Sequence, residues 1–253
     1  MATFDDYANK YQTIRMERRN GILQISFHTD GGPLRWGLQP HRDFTYAFAD
    51  IGSDPENKVI IMTGTGEEFS GPRPSGPNRP GGTPRAWDAI YWEGKHLLQN
   101  LLDIEVPMIA AVNGPALRHC EIPLLCDIVL AAEHAEFQDS AHFPSGLAPG
   151  DGMHIVMPLL LGANRSRYFL LTGQVIPARQ AQDLGLVAEV LPGDKLLPRA
   201  WELAEQLIRQ PPLTLRYARV AITQDIKRRL LALLGYGLAL EGLGALDAMS
   251  QKE

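Results

Sequence analysis

The chain has 253 residues, 45% hydrophobic and 21% charged, the composition of an ordinary globular enzyme with material for one sizeable core. Its 29 acidic and 24 basic residues leave a formal charge of −5. Without a basic run to displace condensed counterions, the chain is a poor candidate for a nucleic-acid partner. Two cysteines, Cys120 and Cys126, are too few for a disulfide framework and read as buried thiols. No run of roughly 18 apolar residues points to a membrane span. The polar start, MATFDDYANK, lacks an apolar leader, so a cytoplasmic location is expected.

Thr13–Arg18 and Ile22–His28 flank Arg19-Asn20-Gly21 and predict a hairpin, because Asn-Gly suits a tight turn. Gln39–Ile51 has helical spacing, with Phe44, Ala47, Phe48 and Ile51 on one face. Lys58–Thr63, Met108–Val112, Asp127–Ala132 and Leu186–Leu191 read as strands, mostly continuous apolar runs of the kind buried on both faces. Phe69–Pro84 holds nine Gly or Pro in sixteen residues, so it is either a surface loop or a shaped wall over a site. Ala86–Asp103 reads as a helix carrying Trp87, Tyr91, His96 and Gln99. Three more helices follow, at Lys195–Gln210, Leu213–Gln224 and Ile226–Ala248. The last contains Gly235, Gly237, Gly242 and Gly244, which cost helix stability and therefore imply close packing, expected here against a neighbouring subunit. Strands alternating with helices give an α/β class, with a core domain over residues 1–194 and a C-terminal helical segment over 195–253.

The chemistry-bearing residues concentrate between Ala110 and Gly173, where His119, His142, Asp151 and His154 stand out. His142 lies in AHFPSG and Asp151 in APGDG, joined by a loop with enough Pro and Gly to fold back on itself. In one reading Asp151 accepts from one ring nitrogen while the other takes a proton from water. In the other, the histidine is exposed and Asp151 caps the helix over Gly152–Leu161. His119 follows the strand Met108–Val112 and the turn Asn113-Gly114-Pro115. It could donate to a carbonyl or enolate oxygen, or simply be a partly buried histidine bonded to backbone. HExxH and clustered Cys/His spacings are missing, so no metal is expected. A G-x-S-x-G elbow, a G-x-G-x-x-G turn and a Walker lysine are missing too, so no cofactor is expected.

AAVNGPAL, CEIPLLCDIVLAAEHAEF and LAPGDG, with LTGQVIPARQAQDLGLVAEVLP, resemble the signature of the crotonase superfamily, the enoyl-CoA hydratases and isomerases. The resemblance extends more weakly from KVIIMTGTGEEFS to the C-terminal helices. It implies a spiral of β-β-α units whose helical C-terminus builds a homotrimer or a dimer of trimers. Three departures stand out. Arg118-His119 replaces the glycines that supply an oxyanion-hole N–H. Phe69-Ser70-Gly71-Pro72-Arg73-Pro74 replaces the second donor segment, and proline has no N–H. His142 stands where hydratases carry a catalytic glutamate.

These departures, with RHCEIP, FQDSAHFPSGLAPGDG, NRSRYFLLTGQ and LLPRAWELA, resemble the β-diketone hydrolase branch of the superfamily. That likeness implies retro-Claisen hydrolysis of a small-molecule 1,3-diketone, giving a keto acid. It makes His142 and Asp151 the water-activating dyad. His119 and Trp36 then hydrogen-bond the substrate, and Glu241 lines the site. Glu121, in CEIP, aligns instead with a catalytic glutamate of hydratases and would serve a divergent enoyl-CoA hydratase or isomerase. A catalytically silent RNA-binding relative is the third alternative, and the acidic balance disfavours it.

Overall fold

A computed structural model describes residues 2–71 and 83–250. After a single turn, α1 (Phe4–Tyr7), the hairpin forms as β1 (Ile14–Arg19) and β2 (Ile22–Phe27), with Asn20 and Gly21 at positive φ in its turn. There follow α2 (Leu38–Ser53), β3 (Val59–Thr63), α3 (Pro84–Asp103), β4 (Met108–Val112), the short α4 (Glu121–Leu124), β5 (Ile128–Ala132) and β6 (Glu136–Phe137). A 3-10 turn at Phe143–Ser145 leads to α5 (Met153–Leu161), α6 (Ala163–Thr172), β7 (Ile176–Pro177), α7 (Ala178–Asp183) and β8 (Glu189–Leu191). The chain closes with α8 (Gly193–Leu207) and α9 (Pro212–Ser250). Most of the Gly/Pro-rich stretch, residues 72–82, lies outside the described residues.

Six strands form one sheet in the order β1-β2-β3-β4-β5-β8, parallel except for the β1–β2 hairpin. Alternation along each strand divides the buried residues between its two faces. Leu23, Ile25, Ile60, Met62, Ala110, Val112, Val129 and Ala131 join the larger core on one face. Ile22, Val59, Ile61, Ile109, Ala111, Leu130 and Ala132 pack on the other face, against Leu196, Ala200 and Ala204 of α8. Both faces are dry, which is why the strands read as unbroken apolar runs. Cys120 and Cys126 are buried free thiols.

The C-terminal region departs from the sequence expectation in three ways. The two helices expected at Leu213–Gln224 and Ile226–Ala248 are one continuous helix, because Gln224-Asp225-Ile226 contains no breaker. Three of its glycines meet this same chain rather than a neighbour. A Cβ at Gly235 would crowd the Tyr91 hydroxyl, at Gly237 the His154 ring and Gly150 carbonyl, and at Gly242 the Trp87 indole. Finally, α9 contains a window with the length and hydropathy (1.4) of a bilayer-crossing helix. It nevertheless packs on α3 and α5 and turns Glu241 into the protein.

The N-terminal half of α9 is fastened by Arg219, which is 1% exposed. Its Nε donates to Asp127 Oδ2 at 2.8 Å and its Nη1 to the Ile104 carbonyl, while the same Asp127 oxygen accepts the Met108 N–H at 2.7 Å. Removing one partner of a buried pair leaves an uncompensated charge, at a cost of about 3–5 kcal/mol. Arg219→Met is therefore expected to lower the urea-unfolding free energy by about that amount.

Candidate active site

The site lies beyond the C-terminal end of β4, where three segments are tied together through backbone. Asn113 Oδ1 accepts from Gly64 N–H at 2.9 Å and its Nδ2 donates to the Gly66 carbonyl at 2.8 Å, clamping the turn after β3. Gly114 is required beneath that turn, since any Cβ there would overlap the Glu67 carbonyl. The Phe69 and Ser70 N–H groups both donate to the Pro115 carbonyl at 3.1 Å. Leu117 N–H returns a bond to Ser70 at 2.9 Å, and Ser140 N–H donates to Leu117 at 3.0 Å. Residues 69–70, 115–118 and 136–140 thus form one unit. From it His119 projects at φ 53°, a left-handed conformation uncommon for a residue with a Cβ.

His142 is 3% exposed and has a carboxylate at each ring nitrogen. Its Nδ1 lies 2.6 Å from Asp139 Oδ1, and its Nε2 lies 3.4 Å from both Asp151 Oδ2 and Glu241 Oε1. The expected pairing of His142 with Asp151 is therefore met only at the longer distance. The short, orienting contact belongs to Asp139, three residues earlier, a spacing that one turn closes without help from the distant loop. Asp151 also approaches the second imidazole, with Oδ2 3.1 Å from His119 Nδ1, and Glu121 Oε1 reaches the same nitrogen at 2.8 Å. Nor does Asp151 cap α5: the cap position is Gly152, and no side chain bonds there.

Trp36 is buried, with its ring centroid 4.1 Å from that of His119. Its Nε1 has no hydrogen-bond partner among the described residues. Behind it stands His41, which the sequence reading did not single out, 4.9 Å from His119 and bonded through Nδ1 to the Gly37 carbonyl at 2.9 Å. His154 does not join the cluster; its Nε2 lies 3.4 Å from the Leu233 carbonyl of α9.

Glu241 comes from the far end of the sequence. Gly150 and Gly237 meet so closely that a Cβ on either would overlap the other's carbonyl. Gly152, at φ 115°, leaves no room for a Cβ beside Leu98 of α3. The loop bearing Asp151 is thereby pressed between α3 and α9, and Glu241, one turn beyond Gly237, faces His142. A helix-borne glutamate is ordinarily solvated, whereas this one is 7% exposed.

In this dry space burial and neighbouring charges act on the titration of His142, Asp151, Glu121 and His119. Burial lowers the His142 pKa, but Asp151, Asp139 and Glu241 together carry it well above the ordinary 6.5. Burial raises Asp151, partly offset by the two histidines. Glu121, wholly enclosed, is pushed up to about 8 by burial. His119 is pushed down to about 4 by burial, although Asp151 favours its charged form. His41 is pushed down to about 3 by burial and by His119. His119, Glu121 and Asp151 have ligand-type atoms within 4.8 Å of one another. Two of the separations, 2.8 and 3.1 Å, are hydrogen-bond lengths, shorter than the roughly 3.3 Å between tetrahedral ligands bound at ~2.0–2.1 Å. The cluster is built to share protons.

A mixed α/β fold with a buried acid–base cluster beyond its parallel strands defines an enzyme of the crotonase type. The chain belongs to the enoyl-CoA hydratase/isomerase family, whose pattern it matches over residues 17–238. It is 36% identical over 130 residues to the enoyl-CoA isomerase/hydratase fer4 of Mycosarcoma maydis, an aligned stretch covering 51% of this chain and 47% of that relative. The match therefore spans about half the length of that protein. A probable enoyl-CoA hydratase of Mycobacterium leprae, echA8, is 28% identical over 87% of this chain and 85% of its own. Among solved structures, a beta-diketone hydrolase from the cyanobacterium Anabaena sp. PCC 7120, bound to (S)-3-oxocyclohexyl acetic acid, is 50% identical. It covers 96% of this chain and 98% of its own, with a TM-score of 0.94.

If Asp139 is the main anchor of His142, Asp139→Asn should lower the imidazole pKa toward 6.5 without unfolding the protein. Titration of the His142 ring protons by NMR checks this.

Proposed function

We propose that this enzyme hydrolyses a carbon–carbon bond of a cyclic 1,3-diketone by a retro-Claisen reaction. The observation that carries the reading is His142, enclosed, anchored through Nδ1 to Asp139, and presenting Nε2 between Asp151 and Glu241. An imidazole so oriented serves as a general base toward water held by the two carboxylates. The likeness to the Anabaena beta-diketone hydrolase supports the same chemistry, since a cyclohexanone carrying an acetic acid arm is what water leaves on opening a bicyclic 1,3-diketone.

In this mechanism His142 Nε2 removes a proton from water as the oxygen attacks one ketone. The tetrahedral intermediate re-forms its C=O and breaks the bond to the central carbon, whose electron pair becomes an enolate. The second carbonyl makes that carbanion a competent leaving group. Trp36 Nε1–H, buried and without a hydrogen-bond partner among the described residues, and His119 donate to the enolate oxygen. The proton taken from water returns to the central carbon, leaving a keto acid. No cofactor enters any of these steps.

Two further expectations belong to this reading. The enzyme acts in the cytoplasm on a small molecule, without a membrane or nucleic-acid partner. It assembles as a homotrimer or a dimer of trimers, and the exposed Tyr217, Ile222, Leu231, Tyr236 and Leu243 of α9 supply apolar surface for this. The competing reading, a divergent enoyl-CoA hydratase or isomerase, is favoured by the buried Glu121 and by the hydratases among the relatives. Measurable binding and turnover of an acyl-CoA would support it.

His142→Ala should reduce diketone kcat by about 10²–10⁴-fold, the usual worth of a positioned general base, in a protein that still folds although its buried carboxylates lose a partner. In the wild type, kcat/KM should rise with pH through a value above 6.5, because His142 works only after losing the proton that its carboxylates favour. Near wild-type turnover in the variant would overturn the assignment.

A further inference from the structure

The water-activating step leaves Glu121 unused, although it is 0% exposed and sits in the first turn of α4 against His119. Building on the hydrolase reading, we propose that Glu121 is a positioning residue. It carries a proton at neutral pH and donates its carboxyl O–H to His119 Nδ1, fixing the tautomer that offers Nε2–H to the substrate enolate.

Glu121 Oε1 and His119 Nδ1 are 2.8 Å apart, a distance that requires one proton between them. If that proton sat on nitrogen, neutral His119 would turn the lone pair of Nε2 toward the substrate and repel the enolate. If it sits on oxygen, Nε2 keeps its hydrogen and becomes a donor. Several features put it on oxygen. The Glu121 side chain has no solvent contact, and its second oxygen has no partner among the described residues, so a charge there would be poorly stabilised. Burial accordingly holds Glu121 at about 8 and His119 at about 4.

The surrounding charges are divided, so burial and the short Glu121–His119 contact carry the argument. Asp139 and Glu241 disfavour a charged Glu121, and His142 favours it. Asp151 and Glu241 favour a charged His119, whereas Arg118 and His142 disfavour it. Asp151 is the competing acceptor at Nδ1, but its contact, 3.1 Å, is longer than that of Glu121, and the same oxygen also faces His142 Nε2 at 3.4 Å. The glutamate shared with hydratases thus has a different use here: it decides which way an imidazole faces.

The test compares Glu121→Gln, whose amide N–H can still donate to Nδ1, with Glu121→Leu, which cannot. ¹⁵N NMR of histidine-labelled protein, with the His119 signals assigned from His119→Gln, reads the tautomer directly. Wild type and E121Q should show the Nε2–H form at pH 7, and E121L should lose it. In diketone turnover, E121L should drop kcat by up to about 10²–10³-fold, the order of one lost oxyanion donor, and E121Q should restore most of that loss. Wild-type activity should fall as pH rises through about 8, where Glu121 gives up its proton, and E121Q should lack this alkaline limb. An Nδ1–H tautomer in the wild type, an E121Q as impaired as E121L, or an alkaline limb that persists in E121Q would overturn the proposal. Thermal unfolding of each variant separates these outcomes from misfolding. Should the wild type cleave no diketone at all, the hydrolase reading fails, while the NMR tautomer still decides the role of Glu121.

Discussion

Gly150 and Gly237 touch backbone to backbone, with a carbonyl of each filling the space where a side chain would stand on the other. The contact lies 87 residues apart in sequence, between a loop and a long helix, and the geometry of the site follows from it. It presses the Asp151 loop under α9 and brings Glu241 over His142. It also closes the space, so that every charge within it must be balanced by a neighbour rather than by water. Helix stability is given up at Gly235, Gly237 and Gly242 to obtain this approach. The loss is offset by the buried packing of α9 on α3 and α5 and by the Arg219–Asp127 lock near its start.

Closure gives the cluster its chemistry. In water, four carboxyls and two imidazoles would titrate near their ordinary values, and nothing would distinguish one histidine from the other. In this site the two separate. His142 is held high by Asp151, Asp139 and Glu241, and in the proposed mechanism it is the group that exchanges a proton with water. His119, beside Trp36 and a carboxyl held near 8, is held low by burial, and in the proposed mechanism it is the hydrogen-bond donor. Environments that push like groups apart are how one site runs base and donor functions together at a single pH.

Much of this was legible in the sequence. The hairpin followed from Asn20-Gly21, and the parallel strands from apolar runs such as Val59–Thr63 and Met108–Val112. His119 and His142 declared themselves by lying in irregular, Gly- and Pro-bearing segments after strands. The glycines of α9 announced a close approach, but composition does not name what they meet, which at Gly235, Gly237 and Gly242 is Tyr91, the Gly150–His154 segment and Trp87. Asp139 was missed although its signal was present: an acid three residues before a histidine needs only one turn to reach it. Glu241 had no local signal, because its burial depends on a contact made far away in sequence. Asp151 was read as the partner of one histidine. It stands between two, an arrangement that only the packing of α4 against the α5 loop creates.

The most direct measurement is to incubate the purified enzyme, with nothing added, with a bicyclic 1,3-diketone in H₂¹⁸O and to analyse the product by mass spectrometry. Water attack on one ketone followed by carbon–carbon cleavage puts one ¹⁸O into the new carboxyl group of a keto acid, at a rate that collapses in the His142 variant. Recovery of unchanged diketone, from the same preparation that hydrates crotonyl-CoA, would contradict the assignment. It would return the site to the chemistry of its hydratase relatives.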